Sequence, residues 1–445
     1  MGGGLVQLAA YGSQDVYLTT NPQITYFKAV YKRYTNFAME SIYQIIDGNI
    51  NFGGNITLVV GRNGDLIGNI ILQVSLFDPT PYIKNGSTYD YCGWIQGIGN
   101  YLINNVSITI GGQLIDQQYG KWMDIWSELT LSESQTKGFG TMTGKNYSSA
   151  IWQPYVVNSE PYNLLQIPLQ FWFCRNPGLA IPLIALQYHE MKIQLQFEKF
   201  TNLVVGIKSG QYQPIVQDPL QALPSFSNTF TVWNNYYFLD TTERRKFAQN
   251  AHEYLIEQLQ SQTGNLISTT EDNYIRLNLN HPVKELIFVF NRNTNNSNAP
   301  QNDFSIGTNI IPNGNPSQFA PLGLFKLILN GSDRFKERPG EYFRLSQNYI
   351  HHTRCPGNYI YCYSFALKPE EHQPSGTCNF SRIDTAQLYF LLRNTSDTTG
   401  LPNYNNSTYT IPAQDYNNVP SYSLYAPSYN ILRVMGGMGG LAYSN

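Results

Sequence analysis

The chain has 445 residues, 42% of them hydrophobic and only 13% charged, with a formal net charge of −2. This excludes global disorder, and it excludes the broad cationic surface that a nucleic-acid backbone requires. Tyr (33) and Phe (23) are abundant, and 36 Gly and 24 Pro punctuate the whole length, a composition of many strands joined by turns and long polar loops rather than of a helical or α/β protein.

The N-terminus, Met1-Gly-Gly-Gly-Leu-Val6, has neither a basic stretch nor a long apolar one, so no secretory signal is expected. Val6 stands where a myristoylation pattern wants Ser or Thr. Residues 1–24 read as an N-terminal arm. Strand-like segments follow at Thr57–Val60, Ile70–Val74, Val106–Ile110, Leu169–Phe173, Met191–Phe197 and Phe230–Leu239. Met191–Phe197 alternates most clearly: Met191, Ile193, Leu195 and Phe197 face a core, and Lys192, Gln194 and Gln196 face out. The apolar run Gly178–Leu186 is short and broken by Pro182, too short to span a bilayer.

Asp240–Gln249 reads as a short linking helix, capped by Asp240 or Thr241 and packed by Phe247 and Ala248, with Arg244, Arg245 and Lys246 solvated. A second set of strands then appears at Tyr254–Leu259, Tyr274–Leu279, Glu285–Phe290, Leu324–Leu329, Tyr359–Leu367, Ala386–Leu392 and Tyr429–Val434. The order of features repeats between the halves. Val106–Ile110 meets Gly111-Gly112 and then Tyr119-Gly-Lys-Trp122; Lys326–Leu329 meets Asn330-Gly331 and then Gly340-Glu-Tyr-Phe343. Long polar excursions at 199–228 and 394–427 each precede a final strand. The reading is all-β: two tandem eight-stranded antiparallel jelly rolls with long loops, residues 25–240 and 251–445, joined by a linker at 241–250. Each antiparallel sheet has one apolar face and must bury it against another sheet.

Residues that carry chemistry are sparse. Cys92, Cys174, Cys355, Cys362 and Cys378 have no ligand spacing and read as free, mostly buried thiols. His189, His252, His281, His351, His352 and His372 form no HExxH or HxH pattern. His351 and His352 are adjacent, and in a strand they point to opposite faces. Asp65, Asp116, Asp124, Glu133, Glu160, Glu190 and Glu198 read as solvated surface or loop acids. No G-x-S-x-G elbow or Walker loop occurs. No catalytic, cofactor or metal residue is assigned. The glycine-rich tail Met435–Gly440 follows a strand but precedes no helix, so it reads as flexible backbone, or as backbone that approaches a neighbouring chain closely. Among many Asn-x-Ser/Thr matches, Asn295, Asn394, Asn405 and Asn406 fall in expected loops and are the glycosylation candidates. Assembly is favoured over catalysis. A carbohydrate-binding β-sandwich is the alternative, and a glycan-active jelly-roll enzyme, needing two carboxylates across a cleft, stands behind it.

Several long stretches resemble the double jelly-roll major capsid proteins of large icosahedral eukaryotic DNA viruses, of the chlorovirus and iridovirus type. They are Tyr11–Leu18 with Asn21–Phe37, Pro182–Glu190, Phe238–Gln249, His252–Gln260, Pro374–Asp384 and Tyr429–Tyr443. The resemblance implies trimeric, pseudo-hexagonal capsomers that tile an icosahedral shell over an internal membrane. It also implies neighbouring capsomers, minor capsid and penton proteins as partners, and assembly in the host cytoplasm. No nucleic-acid contact is expected. It further suggests that the N-terminal segment and the tail make contacts beyond their own domain.

Overall fold

Alternation of apolar and polar side chains builds this molecule strand by strand. The computed structural model describes residues 2–146, 164–209, 211–266, 273–291, 301–304, 320–392 and 421–443. It falls into two units, Met1–Phe37 and Ala38–Asn445. The first carries helices α1 (Gly3–Ala9) and α2 (Asp15–Thr19). A hydrogen bond between the Tyr11 and Thr19 hydroxyls (2.8 Å) ties its turn. Its apolar side chains, among them Leu8, Tyr17, Phe27 and Tyr31, are exposed.

In the second unit the chain forms β1 (Phe37–Tyr43), β2 (Asn55–Val59), β3 (Leu66–Ser75), β4 (Ile103–Ile110), β5 (Gln113–Tyr119), α3 (Gly120–Thr130) and α4 (Glu133–Thr143). Then come β6 (Leu164–Pro168), α5 (Trp172–Arg175), β7 (Met191–Phe197), β8 (Thr231–Leu239) and α6 (Thr241–Gln249). Next are β9 (His252–Asn265), β10 (Asn273–Arg276), β11 (Glu285–Asn291) and β12 (Leu322–Leu329), followed by a π-helical turn Tyr342–Ser346 running into α7 (Gln347–His351). The chain closes with β13 (Tyr361–Ser364), β14 (Ala386–Leu392), β15 (Ser421–Met435) and β16 (Met438–Leu441).

The first half packs the sheet β1-β8-β3-β6 against the sheet β2-β7-β4-β5. The second repeats this order, β9-β15-β11-β13 against β10-β14-β12. All these pairings are antiparallel where register is defined, for example Ile193 opposite Leu58 and Ile108. The first core is mainly aliphatic, around Ile56, Ile70, Leu72, Ile108, Ile193 and Val232. The second is richer in rings, with Phe288, Phe325, Tyr361 and Phe390 in contact.

The expected inward and outward residues of Met191–Phe197 are found as read. Other readings change. Leu169–Phe173 is not a strand: pairing ends at Pro168, and the aromatic run turns into α5 so that Phe171, Trp172 and Phe173 all enter the core. The polar excursion 199–228 contains a strand, Val204–Lys208, that pairs with Tyr91–Trp94. Helix α4 is an addition to the expected elements; it starts with a capping box of Ser132 and Gln135 and ends at Gly144 in a left-handed conformation. β9 and β15 are far longer than their apolar patches, pairing from His252–Val434 to Asn265–Ser421. Polar side chains sustain that ladder: Gln260 accepts from Asn280 N (2.7 Å), and Gln262 donates to Arg276 O (2.8 Å). In α6, Phe247 packs and Arg244, Arg245 and Lys246 are exposed as expected, Arg244 also pairing with Asp65 at 3.0 Å, but Ala248 is exposed rather than packed.

Candidate assembly surfaces and the seam between the rolls

Helix α3 leaves the first roll and lands on the second. Gly120 opens it because a Cβ there would sit 2.2 Å from the carbonyls of Asn100 and Ile103. Met123 points into the first core. Trp122, Ile125, Trp126 and Leu129, at helical spacing, lie on the other face. They are buried with Ile287, Val289, Ile360, Cys362 and Tyr425 of the second roll. Trp122 stacks on Trp126 (5.3 Å) and meets Tyr425 (5.4 Å). This explains why β11 is apolar at every position from Leu286 to Phe290: Leu286, Phe288 and Phe290 face their own core, while Ile287 and Val289 face α3.

Buried carboxylates and lysines, with Arg175 and Arg354 reaching in from more exposed positions, frame that apolar centre. Glu257 Oε2 accepts from Arg175 (2.7 Å), and its Oε1 meets Lys284 Nζ (2.8 Å). Lys284 is wholly buried, also donates to Pro369 O (2.8 Å), and lies over Tyr429 at 5.5 Å. Arg175 sits over Trp126 at 5.0 Å. Burial works against the charge of Glu257, yet Arg175 and Lys284 overcome it and hold the carboxyl well below its usual range. Burial pulls Lys284 down, with Glu257 opposing. On a second side, Lys145 bridges Asp124 (2.6 Å) and Glu128 (2.5 Å), and Arg354 of the second roll holds Glu128 through both its carbonyl and its carboxylate. On a third, Asp116 accepts from Leu259 N (2.9 Å), while Gln258 donates to Ile115 O. Burial pushes Asp116 up to about 6. Lys121 reaches Asn291 (2.9 Å), and burial pulls it down to about 8.

The tail adds a backbone clasp. Tyr188 N donates to Gly437 O (2.9 Å), His189 Nδ1 lies 2.9 Å from Gly439 O, and Leu441 N donates to Gln113 Oε1 (3.1 Å). The glycines permit this approach, since a Cβ on Gly437 would stand 2.5 Å from the Tyr188 ring. The neighbour that the tail approaches is thus the first roll of its own chain.

The acids depart furthest from expectation. Asp65, Asp116, Asp124 and Glu198 are buried, whereas Glu133 and Glu190 are exposed as expected. Glu160 lies outside the described residues. In sequence each buried acid is an isolated carboxylate, and partners such as Lys145 for Asp124 and Leu259 for Asp116 are distant along the chain. His351 and His352 end α7 rather than lying in a strand. His352 contacts Glu285 (3.1 Å) and Glu370 (3.0 Å) and has Cys362 as a hydrogen-bond neighbour. The order Cys, His, Glu looks like a nucleophile with its base. However, Cys362, His352 and Glu285 have essentially no side-chain exposure, and burial pushes the thiol up to about 11. The cluster is an internal ionic lock. Cys355 is exposed, contrary to the general expectation for the thiols. Among the described residues no group of three or more His, Cys, Asp or Glu is arranged to hold a metal ion, and no helix is long and apolar enough to cross a membrane.

Comparison with known proteins agrees with this architecture. Residues 25–240 match the family model for the major capsid protein N-terminus, and residues 243–440 match that for the large eukaryotic DNA virus major capsid protein. The chain belongs to the major capsid proteins of large eukaryotic DNA viruses. This capsid protein is 40% identical to the major capsid protein of Phaeocystis pouchetii virus and 41% identical to that of Paramecium bursaria Chlorella virus 1, in both cases over all of each chain. A chain of the PBCV-1 virus capsid superimposes with a TM-score of 0.74 at 34% identity, covering 95% of the capsid protein and all of that chain. The Faustovirus major capsid protein shares the fold at 13% identity, with a TM-score of 0.69 over 97% of this chain and 96% of its own.

The capsid protein is therefore a structural component of the virion shell, built as the expected double jelly roll. The carbohydrate-binding alternative finds no support. Trp94, Trp122, Trp126 and Trp172 are buried and Trp233 is partly covered, while Trp152 lies outside the described residues. Asn295, Asn394, Asn405 and Asn406, the glycosylation candidates, also lie outside the described residues.

Proposed function

We propose that three copies of the capsid protein close into a capsomer with a pseudo-hexagonal outline, and that these capsomers tile an icosahedral shell. The observation that carries this reading is the repeated strand order of the two rolls. Three chains present six similar units, so a threefold ring approximates sixfold packing and fits among six neighbours. The functional division is residues 1–24 as an arm, 25–240 and 251–445 as the two rolls, and 241–250 as their linker. The family matches at 25–240 and 243–440 support it. The apolar arm makes contacts outside its own chain, with minor capsid and penton proteins or near the membrane inside the shell. The protein is made late and assembles in the host cytoplasm, with no direct contact to the genome. Asn295, Asn394, Asn405 and Asn406 carry whatever glycans the outer loops bear.

Light scattering and negative-stain imaging of the purified full chain test the central claim. The expected result is a mass of three chains and triangular particles with six lobes. A mass of one chain at micromolar concentration overturns it. Intact mass of protein from virions, before and after chemical deglycosylation, tests the Asn assignments.

A further inference from the structure

Lys121 is the seam lysine whose ammonium meets no counter-charge. It lies in the first turn of α3, and its side chain reaches across into the second roll. The residue is half-buried, with Nζ at its enclosed end. Nζ donates to Asn291 Oδ1 (2.9 Å) and stands 3.4 Å from Ser423 Oγ. Both partners are neutral. Lys145 and Lys284, by contrast, are each paired with carboxylates. Burying an ammonium with only neutral partners favours the free amine, which is why burial pulls Lys121 down to about 8. A lysine in that state is a nucleophile at neutral pH.

The group it faces is held still. Asn291 is the last residue of β11 and is only 4% exposed. Its Nδ2 donates to Gln301 O (3.0 Å) and to Asp303 O (3.1 Å), both main-chain carbonyls. Those two acceptors fix the orientation of the carboxamide, since a turned amide would set its oxygen against two carbonyls and its donors against the ammonium. The carbonyl of Asn291 is therefore aimed at Lys121, with its carbon one bond beyond the oxygen that Nζ touches. An amine that can lose its proton and an immobile carboxamide are thus in contact, out of bulk water, at no further cost in ordering.

We propose that Lys121 and Asn291 join through an isopeptide bond, formed by the folded chain itself, that ties the first roll covalently to the second. Nζ, as the free amine, adds to Cγ of Asn291. The Cγ–Nδ2 bond then breaks, and Nδ2 leaves as ammonia, carrying the proton that Nζ gives up on attack. The proton that the lysine released beforehand makes the product an ammonium ion. A lysine ammonium and a carboxamide become a secondary amide and one ammonium ion, so atoms and charge balance without oxidant or co-reactant. All five cysteines are free, and no disulfide holds roll to roll. An amide between residues 121 and 291 restricts the unfolded chain as a disulfide does, and reducing conditions leave it intact. Both partners belong to one chain, so the bond does not depend on the proposed trimer.

Mass spectrometry of the full chain tests the bond, on protein from virions and on purified protein held near pH 8. The purified chain is expected to be lighter than its sequence by one ammonia. Trypsin does not cut after an acylated lysine, so digests of both preparations should contain a branched peptide, Asn85–Lys137 joined to Glu285–Arg292. Cleavage of the native chain within 241–250 followed by denaturing electrophoresis should leave one band. Lys121→Arg keeps the positive charge, and Asn291→Ala removes the carboxamide; each should keep its full mass and give two bands. A wild-type chain of full mass with no branched peptide in either preparation overturns the proposal. So does a loss of ammonia that maps to other peptides and leaves Lys121 open to trypsin. The wild-type digest decides the matter even where a variant fails to fold.

Discussion

The cores of the two rolls and the centre of the seam between them are both buried but chemically opposite. Each core is apolar and defined by area: Ile, Leu and Val in the first, stacked rings in the second. Burial of each such side chain stabilises by roughly 1.5–3 kcal/mol and accepts many packings. The seam adds Glu257, Lys284, Arg175, Asp116, Asp124, Lys145 and Glu128 around its aromatic centre. Buried ion pairs contribute little net stability compared with apolar replacements, but they penalise any arrangement that parts them. The rolls thus fold by hydrophobic burial, and the seam fixes one orientation of roll against roll. A shell subunit needs that, because a small error in angle within one chain is multiplied across the lattice.

The comparison breaks most directly at Lys284. Lys284→Ala leaves Glu257 buried with Arg175 and a distant His372 (3.6 Å). The expected cost is about 3–5 kcal/mol, seen as a lower midpoint in denaturant. If the seam orients the rolls rather than holding each together, calorimetry of this variant shows two transitions where wild type shows one, and protease cuts faster near 241–250. Lys284→Met/Glu257→Gln should recover most of the loss. A single transition at unchanged midpoint for Lys284→Ala would refute the special role of the seam charges.

Trp126→Ala sharpens the same contrast from the apolar side. Large-to-small changes of this kind cost about 3–5 kcal/mol, and Trp126 additionally carries Arg175 over its ring. Phe288→Ala in the second core should cost a similar amount by the same measurement. It should lower the melting of that roll alone, whereas Trp126→Ala should uncouple the two.

The two regions also differed in how far the sequence disclosed them. Core strands such as Met191–Phe197 and Ala386–Leu392 were legible because period-two alternation is a local signal. Duplication was legible because the turn and helix-start residues recur in order. The seam was not, because its information is non-local. Arg354 and Glu128 are 226 residues apart, and nothing near either one marks it as buried. β9 was under-read because its glutamines look solvated until their partners at Arg276 and Asn280 are known. The doubly apolar run of β11 was the one local trace, since both faces of an ordinary exposed antiparallel strand are seldom apolar.

Titration separates seam charges of opposite behaviour. Burial raises Asp116 from 3.8 to about 6. Between those values the folded chain binds more protons than the unfolded one, so this contribution is fully present below pH 3.8 and is lost as pH rises through 6. The loss approaches about 3 kcal/mol. Glu257 is depressed below its ordinary 4.5, so its contribution is present above pH 4.5 and lost as pH falls. Asp116→Asn keeps an acceptor for Leu259 N and should flatten the fall in stability between pH 4 and 6 (urea midpoints in that range). Glu257→Gln should leave that slope in place and remove the loss at lower pH. The same slope in wild type and Asp116→Asn would show that this carboxyl does not report on the seam.

The smallest expected effect tests the clasp of the tail. A Cβ on Gly439 would stand 2.7 Å from Leu186 Cδ2 and 3.1 Å from Ile110 Cγ2, both in the first roll. Gly439→Ala therefore pushes the tail off that surface or shifts Leu186, an overpacking cost of about 1–3 kcal/mol. Gly436, in the same hairpin, faces open space but has φ of +61°, so Gly436→Ala adds only backbone strain of about 1 kcal/mol. Thermal melting of the two variants isolates the packing term. Gly439→Ala should melt lower than Gly436→Ala and expose the tail to carboxypeptidase sooner. The reverse order would mean that the hairpin turn, and not its contact with the first roll, holds the tail in place.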